Sequence, residues 1–132
     1  MIETNIKKNK KKRVLILEDD EMVRLIVKDY LIVYGFEILE SANPLAAIDI
    51  LKKEMCDVAI VDINIPQMPG EAFIEKAKKI SPHTKFVIHT GKNDYKVSSE
   101  MKALGVAQEN VLEKPVEDMK TFVSTINRLL QE

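Results

Sequence analysis

A chain of 132 residues, 45% apolar and 31% charged, has the size and composition of one soluble globular domain. With one cysteine, no tryptophan, four glycines and a formal net charge of −1, it is neither a disulfide scaffold nor a bulk polycation, and a compact β-sandwich is disfavoured. No stretch is apolar for long enough to span a bilayer, and the basic N-terminus leads into no apolar signal segment. A cytoplasmic location with no membrane partner is the expectation.

Residues 1–13 carry six basic groups and one acid. Residues 1–12 are polar and lysine-rich and read as a basic disordered tail, with the folded domain expected over 13–132. The lysine run fits a solvated tail better than a nucleic-acid contact, because no aromatic or recognition helix accompanies it.

Val14–Leu17 reads as a buried strand that ends in Glu18-Asp19-Asp20. A helix is predicted over Glu21–Tyr34, with Val23, Ile26, Val27, Tyr30, Leu31 and Tyr34 on one face. Gly35 is its left-handed cap. Phe36–Leu39 is the second strand. Asn43-Pro44 opens the second helix as N-cap and first helical residue, and Leu45, Ile48, Ile50 and Leu51 form its apolar side. The lone Cys56 reads as a small packed hydrophobe.

Val58–Val61 is the third strand, ending in Asp62, after which Pro66, Pro69 and Gly70 force a turn. Gly70–Ile80 is the third helix. Phe86–His89 is the fourth strand and leads to Thr90. A fourth helix is predicted over Asp94–Leu104, closed by Gly105. Val111–Leu112 belongs to the fifth strand, just before Lys114. Pro115 then opens a last helix, with Met119, Phe122, Val123, Ile126, Leu129 and Leu130 on one stripe. Five strands alternating with five helices imply right-handed crossovers and a doubly wound, five-stranded parallel sheet of flavodoxin-like α/β class.

The strand ends carry the chemistry: Glu18 and Asp19, then Asp62, then Thr90, then Lys114. In a doubly wound sheet these become neighbours at one edge. Pooled carboxylates repel one another unless a cation intervenes. Oxygen ligands suit Mg2+, which takes one or two carboxylates and keeps waters. A strand-end Asp can accept a phosphoryl group, with Lys114 supplying charge and Thr90 a hydroxyl. His89 should point to the other sheet face as a structural residue, and His83 should be exposed.

The segments VLILEDD, VDINIPQMPG, VIHTG and LEKP, in that order, resemble the receiver domains of two-component response regulators, the CheY-like family. The resemblance runs from Arg13 to the end. It implies that Asp62 is the phosphoacceptor, and that Glu18 and Asp19 hold Mg2+, Asp19 directly and Glu18 mainly through water. The backbone carbonyl of Asn64 would complete the metal shell. Thr90 would be the switch hydroxyl and Lys114 the partner of the phosphoryl group. A cis bond before Pro115 is also implied; the general frequency for such bonds is only about 5%. The donor would be a histidine kinase or a histidine phosphotransfer protein, and an unknown downstream protein would read the result. Such a domain catalyses its own aspartyl phosphorylation and dephosphorylation rather than metabolic turnover.

Two departures stand out. The position three residues before Lys114, usually aromatic in the family, is Val111, and the segment 105–110 is about two residues longer than the common form. A smaller response, or one carried through Thr90–Lys96 with Tyr95 as reporter, is expected. No output domain is recognisable, so the chain reads as a stand-alone receiver or as part of a larger regulator. The alternative is a haloacid-dehalogenase-type Mg2+ phosphatase. That class needs an acid two residues after its nucleophile, where this chain has Asn64. A flavodoxin-like cofactor binder would need a phosphate-cradling loop in place of Glu18-Asp19-Asp20.

Overall fold

A computed structural model describes residues 10–132. The strands are β1 (Arg13–Leu17), β2 (Glu37–Ser41), β3 (Val58–Val61), β4 (Lys85–Thr90) and β5 (Val111–Glu113). The helices are α1 (Glu21–Val33), α2 (Pro44–Lys53), α3 (Gly70–Ile80), α4 (Ser99–Ala103) and α5 (Lys120–Leu130), with a 3-10 turn at Gln108–Asn110. The strands form one parallel sheet in the order β2-β1-β3-β4-β5. This is the doubly wound α/β architecture read from the alternation.

Both faces of the sheet are covered, which is why Val14–Leu17 and Val58–Val61 are apolar at every position. Leu15, Leu17, Ala59, Val61, Phe86 and Ile88 pack against Ala47 and Leu51 of α2, Phe73 and Ile74 of α3, and Met101 of α4. Val14, Ile16, Val58, Ile60 and Val87 pack against Val27 and Leu31 of α1 and Phe122, Ile126 and Leu129 of α5. Cys56 is fully buried in the first of these cores.

Local chemistry sets most helix starts. Asp20 caps α1 by accepting from Val23 N–H at 3.2 Å. Asn43 caps α2 by accepting from Leu45 and Ala46, with Pro44 next in line. Gly35 takes φ +92° after α1, in the left-handed region that favours glycine.

Several sequence expectations need correction. The helix predicted over Asp94–Leu104 is only Ser99–Ala103. Ser98 is its true N-cap, accepting from Met101 N–H, and the residues before it are tied to neighbouring elements instead. The last helix begins at Lys120 rather than at Pro115. The Lys114–Pro115 bond is cis, as the resemblance implied, and the chain does not enter the helix until after Asp118, whose carboxylate accepts from Lys120 N–H at 3.0 Å. The second strand runs two residues past Leu39, to Ser41. On α1, Ile26 and Tyr34 are exposed, and on α2 Leu45 is exposed while Ala47 is buried. The basic tail expected over residues 1–12 falls largely on 1–9, which lie outside the described residues.

One glycine is required by contact rather than by φ. A Cβ on Gly70 would stand 2.6 Å from Ile63 Cα and 3.0 Å from the Asp62 carbonyl oxygen. The loop leaving β3 therefore folds back directly onto the start of α3, closed by Gly70 N–H donating to Ile63 C=O at 3.1 Å. Gly70→Ala should lower stability by roughly 1–3 kcal/mol, as overpacking against backbone does. Gly91→Ala meets nothing within 4 Å and should change stability by less than about 0.5 kcal/mol. Urea denaturation of the two variants checks this; equal losses would mean the close approach at Gly70 is wrong.

Candidate functional site

The strand order reverses between β1 and β3, and in such sheets the crevice beyond the carboxyl ends of these strands takes ligands. Glu18 and Asp62 are the first residues past those two ends, each still held by the sheet. Glu18 N–H donates to Ser41 C=O at 3.1 Å and Asp62 N–H to Leu17 C=O at 3.0 Å. Lys114 is placed the same way, its N–H donating to Thr90 C=O at 2.7 Å. The side chains thus hang from backbone that the sheet fixes.

One carboxylate oxygen from each of Glu18, Asp19 and Asp62 lies within 4.8 Å of the others. Glu18 and Asp62 are buried, at 2% and 5% exposure, while Asp19 faces solvent. Lys114 Nζ stands 2.7 Å from Glu18 Oε1 and 3.3 Å from Asp62 Oδ2. It donates a hydrogen bond to Asp62. Its approach to the buried Glu18 Oε1 is a close ion pair whose geometry departs from that of a well-directed hydrogen bond. Buried carboxylate oxygens gathered in this way are what a hard cation can satisfy.

The electrostatics follow from burial and crowding. Desolvation pushes the Glu18 carboxyl up from 4.5 to about 7; the adjacent Asp62 raises it further, while Lys114 and the Asp20 N–H oppose the shift. Burial works against the Lys114 ammonium, but its pairs with Glu18 and Asp62 outweigh that and raise its pKa overall. The pocket therefore favours a charged lysine and disfavours a third full negative charge.

Asn64 is exposed, and its N–H donates to Asp62 Oδ1 at 3.0 Å, which fixes the carboxylate's orientation. Thr90 is fully buried at the end of β4. Its hydroxyl oxygen accepts from Lys92 N–H at 3.1 Å. Among the described residues it makes no hydrogen bond to Asp62. The sequence-read residues Glu18, Asp19, Asp62 and Lys114 thus form one cluster, with Asn64 attached through its backbone.

Sequence reading missed two neighbours. His89 does lie on the α1 and α5 side of the sheet, edge-on to Phe122 with centroids 5.0 Å apart. Yet its Nδ1 also comes within 3.9 Å of Glu18 Oε1. Strand alternation held the signal: Glu18 continues the parity of Val14 and Ile16, and His89 that of Val87. Burial, and then the Lys114 charge, lower the His89 pKa to about 4, so it is neutral there. The second is Arg24, whose Nη1 donates to the Glu18 carbonyl at 2.9 Å while its Nε pairs with Glu40 at 3.0 Å. It braces the acidic turn from α1.

Comparison with known proteins agrees with this fold. Residues 14–127 match the model of the response regulator receiver domain. Sporulation initiation phosphotransferase F of Bacillus subtilis is 29% identical over 93 residues, covering 70% of this chain and 75% of that protein. The chemotaxis protein CheY of Thermotoga maritima is 33% identical over 78 residues, 58% of this chain and 65% of that one. Other relatives are longer: the chain spans 27% of a cyclic di-GMP phosphodiesterase from Thermotoga maritima, to which it is 31% identical. Among solved structures, chemotaxis protein CheY4 of Vibrio cholerae superposes with a TM-score of 0.81 at 27% identity, over 92% of this chain and all of that one. A CheY-like receiver domain from Methanospirillum hungatei gives 0.78 at 26% identity, over 92% and 95%. With the family's fold, its match along most of the chain and acids at the switch point, the chain belongs to the response regulator receiver domains of two-component signalling.

Proposed function

We propose that Asp62 is the phosphoacceptor of this receiver, working with Mg2+ held by Glu18, Asp19, Asp62 and the carbonyl of Asn64. The observation that carries the proposal is the buried acidic cluster with Lys114 reaching into it. A bound Mg2+ would neutralise the pooled carboxylates and the phosphoryl oxygens. Asp62 is held by Asn64 N–H on one oxygen and by Lys114 on the other. An Asp62 oxygen attacks the phosphorus of a phosphohistidine; the new P–O bond forms as the P–N bond breaks, and the imidazole leaves. Lys114 can follow the negative charge onto the phosphoryl group, and Thr90 can donate its hydroxyl to it. Attack by water then returns free phosphate and the Asp62 carboxylate. The phosphatase alternative gains nothing, because the position that needs a second acid holds Asn64.

The partners fit the same reading. The outer side of α1 exposes Met22, Leu25, Ile26, Ile32 and Val33. A helix apolar on its outward face calls for cover. Beside it an apolar cleft of about 450 Å3, lined by residues that include Ile26, Val116 and Met119, reaches Lys114. A histidine kinase or phosphotransfer protein that packs a helix there would bring its histidine to the site. Among the described residues no helix is long and apolar enough to cross a membrane; we place the domain, residues 13–132, in the cytoplasm with its donor.

Acetyl phosphate with Mg2+ should add one phosphoryl mass to the protein, read by intact mass spectrometry. Asp62→Asn should keep the fold and lose the added mass, and labelling of that variant at the wild-type rate would exclude Asp62. The raised Glu18 pKa gives a second test. A carboxyl with a folded pKa above its unfolded value binds more protons when folded, so stability falls as pH rises from about 4.5 to about 7. The loss is on the order of 3 kcal/mol without metal. His89, buried neutral, contributes the opposite slope between about 4 and 6.5, so the comparison is wild type against Glu18→Gln. The difference between their metal-free stability curves should fall through this window, and a flat difference would sink the assignment. Mg2+ should remove the fall, because it takes the place of the proton.

A further inference from the structure

A continuous path of hydrogen bonds runs from Thr90 to α3. Thr90 Oγ1 accepts from Lys92 N–H at 3.1 Å. The Lys92 carbonyl accepts from Tyr95 N–H at 3.4 Å. The Tyr95 hydroxyl donates to Glu71 of α3. The Tyr95 carbonyl accepts from Gln108 Nε2 at 3.0 Å, and Gln108 Oε1 accepts from Val97 N–H at 2.9 Å. The loop between β4 and α4 is thus pinned on two sides, by α3 and by the segment 105–110. Tyr95 and Val111 also pack against the same core as Val97 and Met101.

Resting on the reading of Asp62 and Thr90 above, we infer that Tyr95, Glu71 and Gln108 are positioning residues for the switch hydroxyl. They hold the loop back and oppose movement of Thr90 Oγ1 towards a group on Asp62. A hydroxyl has one donor and two acceptor sites. Thr90 can therefore donate to such a group while still accepting from Lys92 N–H. Hydroxyl and loop then move together, and the anchors at Tyr95 resist both. The apparent affinity for a phosphoryl analogue is the intrinsic affinity reduced by the fraction of molecules with the loop released. Removing one neutral Gln108 hydrogen bond, roughly 1 kcal/mol, should raise that fraction about fivefold while it is small, and removing the Tyr95 bond, which ends on the Glu71 carboxylate, should raise it at least as much.

The path assigns to Tyr95 and Gln108 a part that a ring on β5 cannot play here, since that position is Val111. If the network only braced the loop, its loss would lower stability and leave analogue affinity unchanged. That difference separates positioning from bracing.

The test is a titration of the full chain with beryllofluoride and Mg2+, followed by amide chemical shifts. Tyr95→Phe, which loses the bond to the Glu71 carboxylate, and Gln108→Ala, which loses two hydrogen bonds, should each bind at least about fivefold more tightly than wild type. Gln108→Glu keeps the acceptor for Val97 N–H and loses the donor to Tyr95, and should lie between. Labelling by acetyl phosphate should speed up in the same order. Wild-type binding with unchanged or weaker binding in Tyr95→Phe and Gln108→Ala overturns this inference alone. No binding by wild type overturns the Asp62 reading, and this inference falls with it.

Discussion

Three carboxylates converge on a space spanned by 4.8 Å, with one ammonium among them. Like charges at such range cannot all ionise freely in a partly buried site. Burial first, and then the charge of Asp62, push the Glu18 carboxyl up to about 7, while the pairs with Glu18 and Asp62 keep Lys114 charged. A site left electrostatically short of positive charge suits a cation and, in the proposed reading, the phosphoryl group that the cation and the lysine would share. The chemistry proposed for Asp62 uses a deficit already present in the protein.

Such crowding needs a rigid base. Burying Val14–Leu17 and Val58–Val61 on both faces lets two neighbouring strands deliver acids side by side. The ladder hydrogen bonds at Glu18, Asp62 and Lys114 extend that rigidity one residue beyond the strands. Gly70 then allows the loop leaving β3 to double back within contact of the Asp62 backbone. A fold of this kind concentrates repulsion at one edge and offsets it with apolar burial everywhere else.

What was legible in the sequence was what periodicity and strand ends encode. The five alternations gave the sheet, and the residues just past each apolar run gave Glu18, Asp19, Asp62, Thr90 and Lys114. The stretch from Gly91 to Ser98 was not legible. Asp94 to Leu104 has helical composition, but Tyr95 and Val97 are held by Glu71 and Gln108, residues far away along the chain. Tertiary partners overrode local preference there. The start of α5 lies beyond Pro115 for a related reason: a proline suits a first helical position, but the Asp118 carboxylate accepts from Lys120 N–H and the helix opens there. Glu18's contact with His89 was readable from strand parity, yet only if Glu18 is treated as continuing β1 beyond its last assigned residue. Arg24 carried no signal, because its reach to the Glu18 carbonyl depends on how α1 lies on the sheet.

Magnitudes decide how such a receiver can switch. Turning a two-state protein from mostly one form to mostly the other takes about 5.5 kcal/mol of differential binding. In the proposed reading, one charged hydrogen bond from Thr90 to a phosphoryl group on Asp62 would supply roughly 1.5–3 kcal/mol. The remainder has to come from groups that change partners when charge arrives at Asp62. Lys114 is one, since it now divides itself between Glu18 and Asp62. The pinned loop acts on the other side, since its hydrogen bonds lead back to Thr90 and set the cost that the drive has to meet. Val111 adds no ring whose burial can help. A weaker drive from Thr90 demands a lightly held response element, and a loop secured by a few hydrogen bonds fits that scale better than a repacked strand in a sheet buried on both faces.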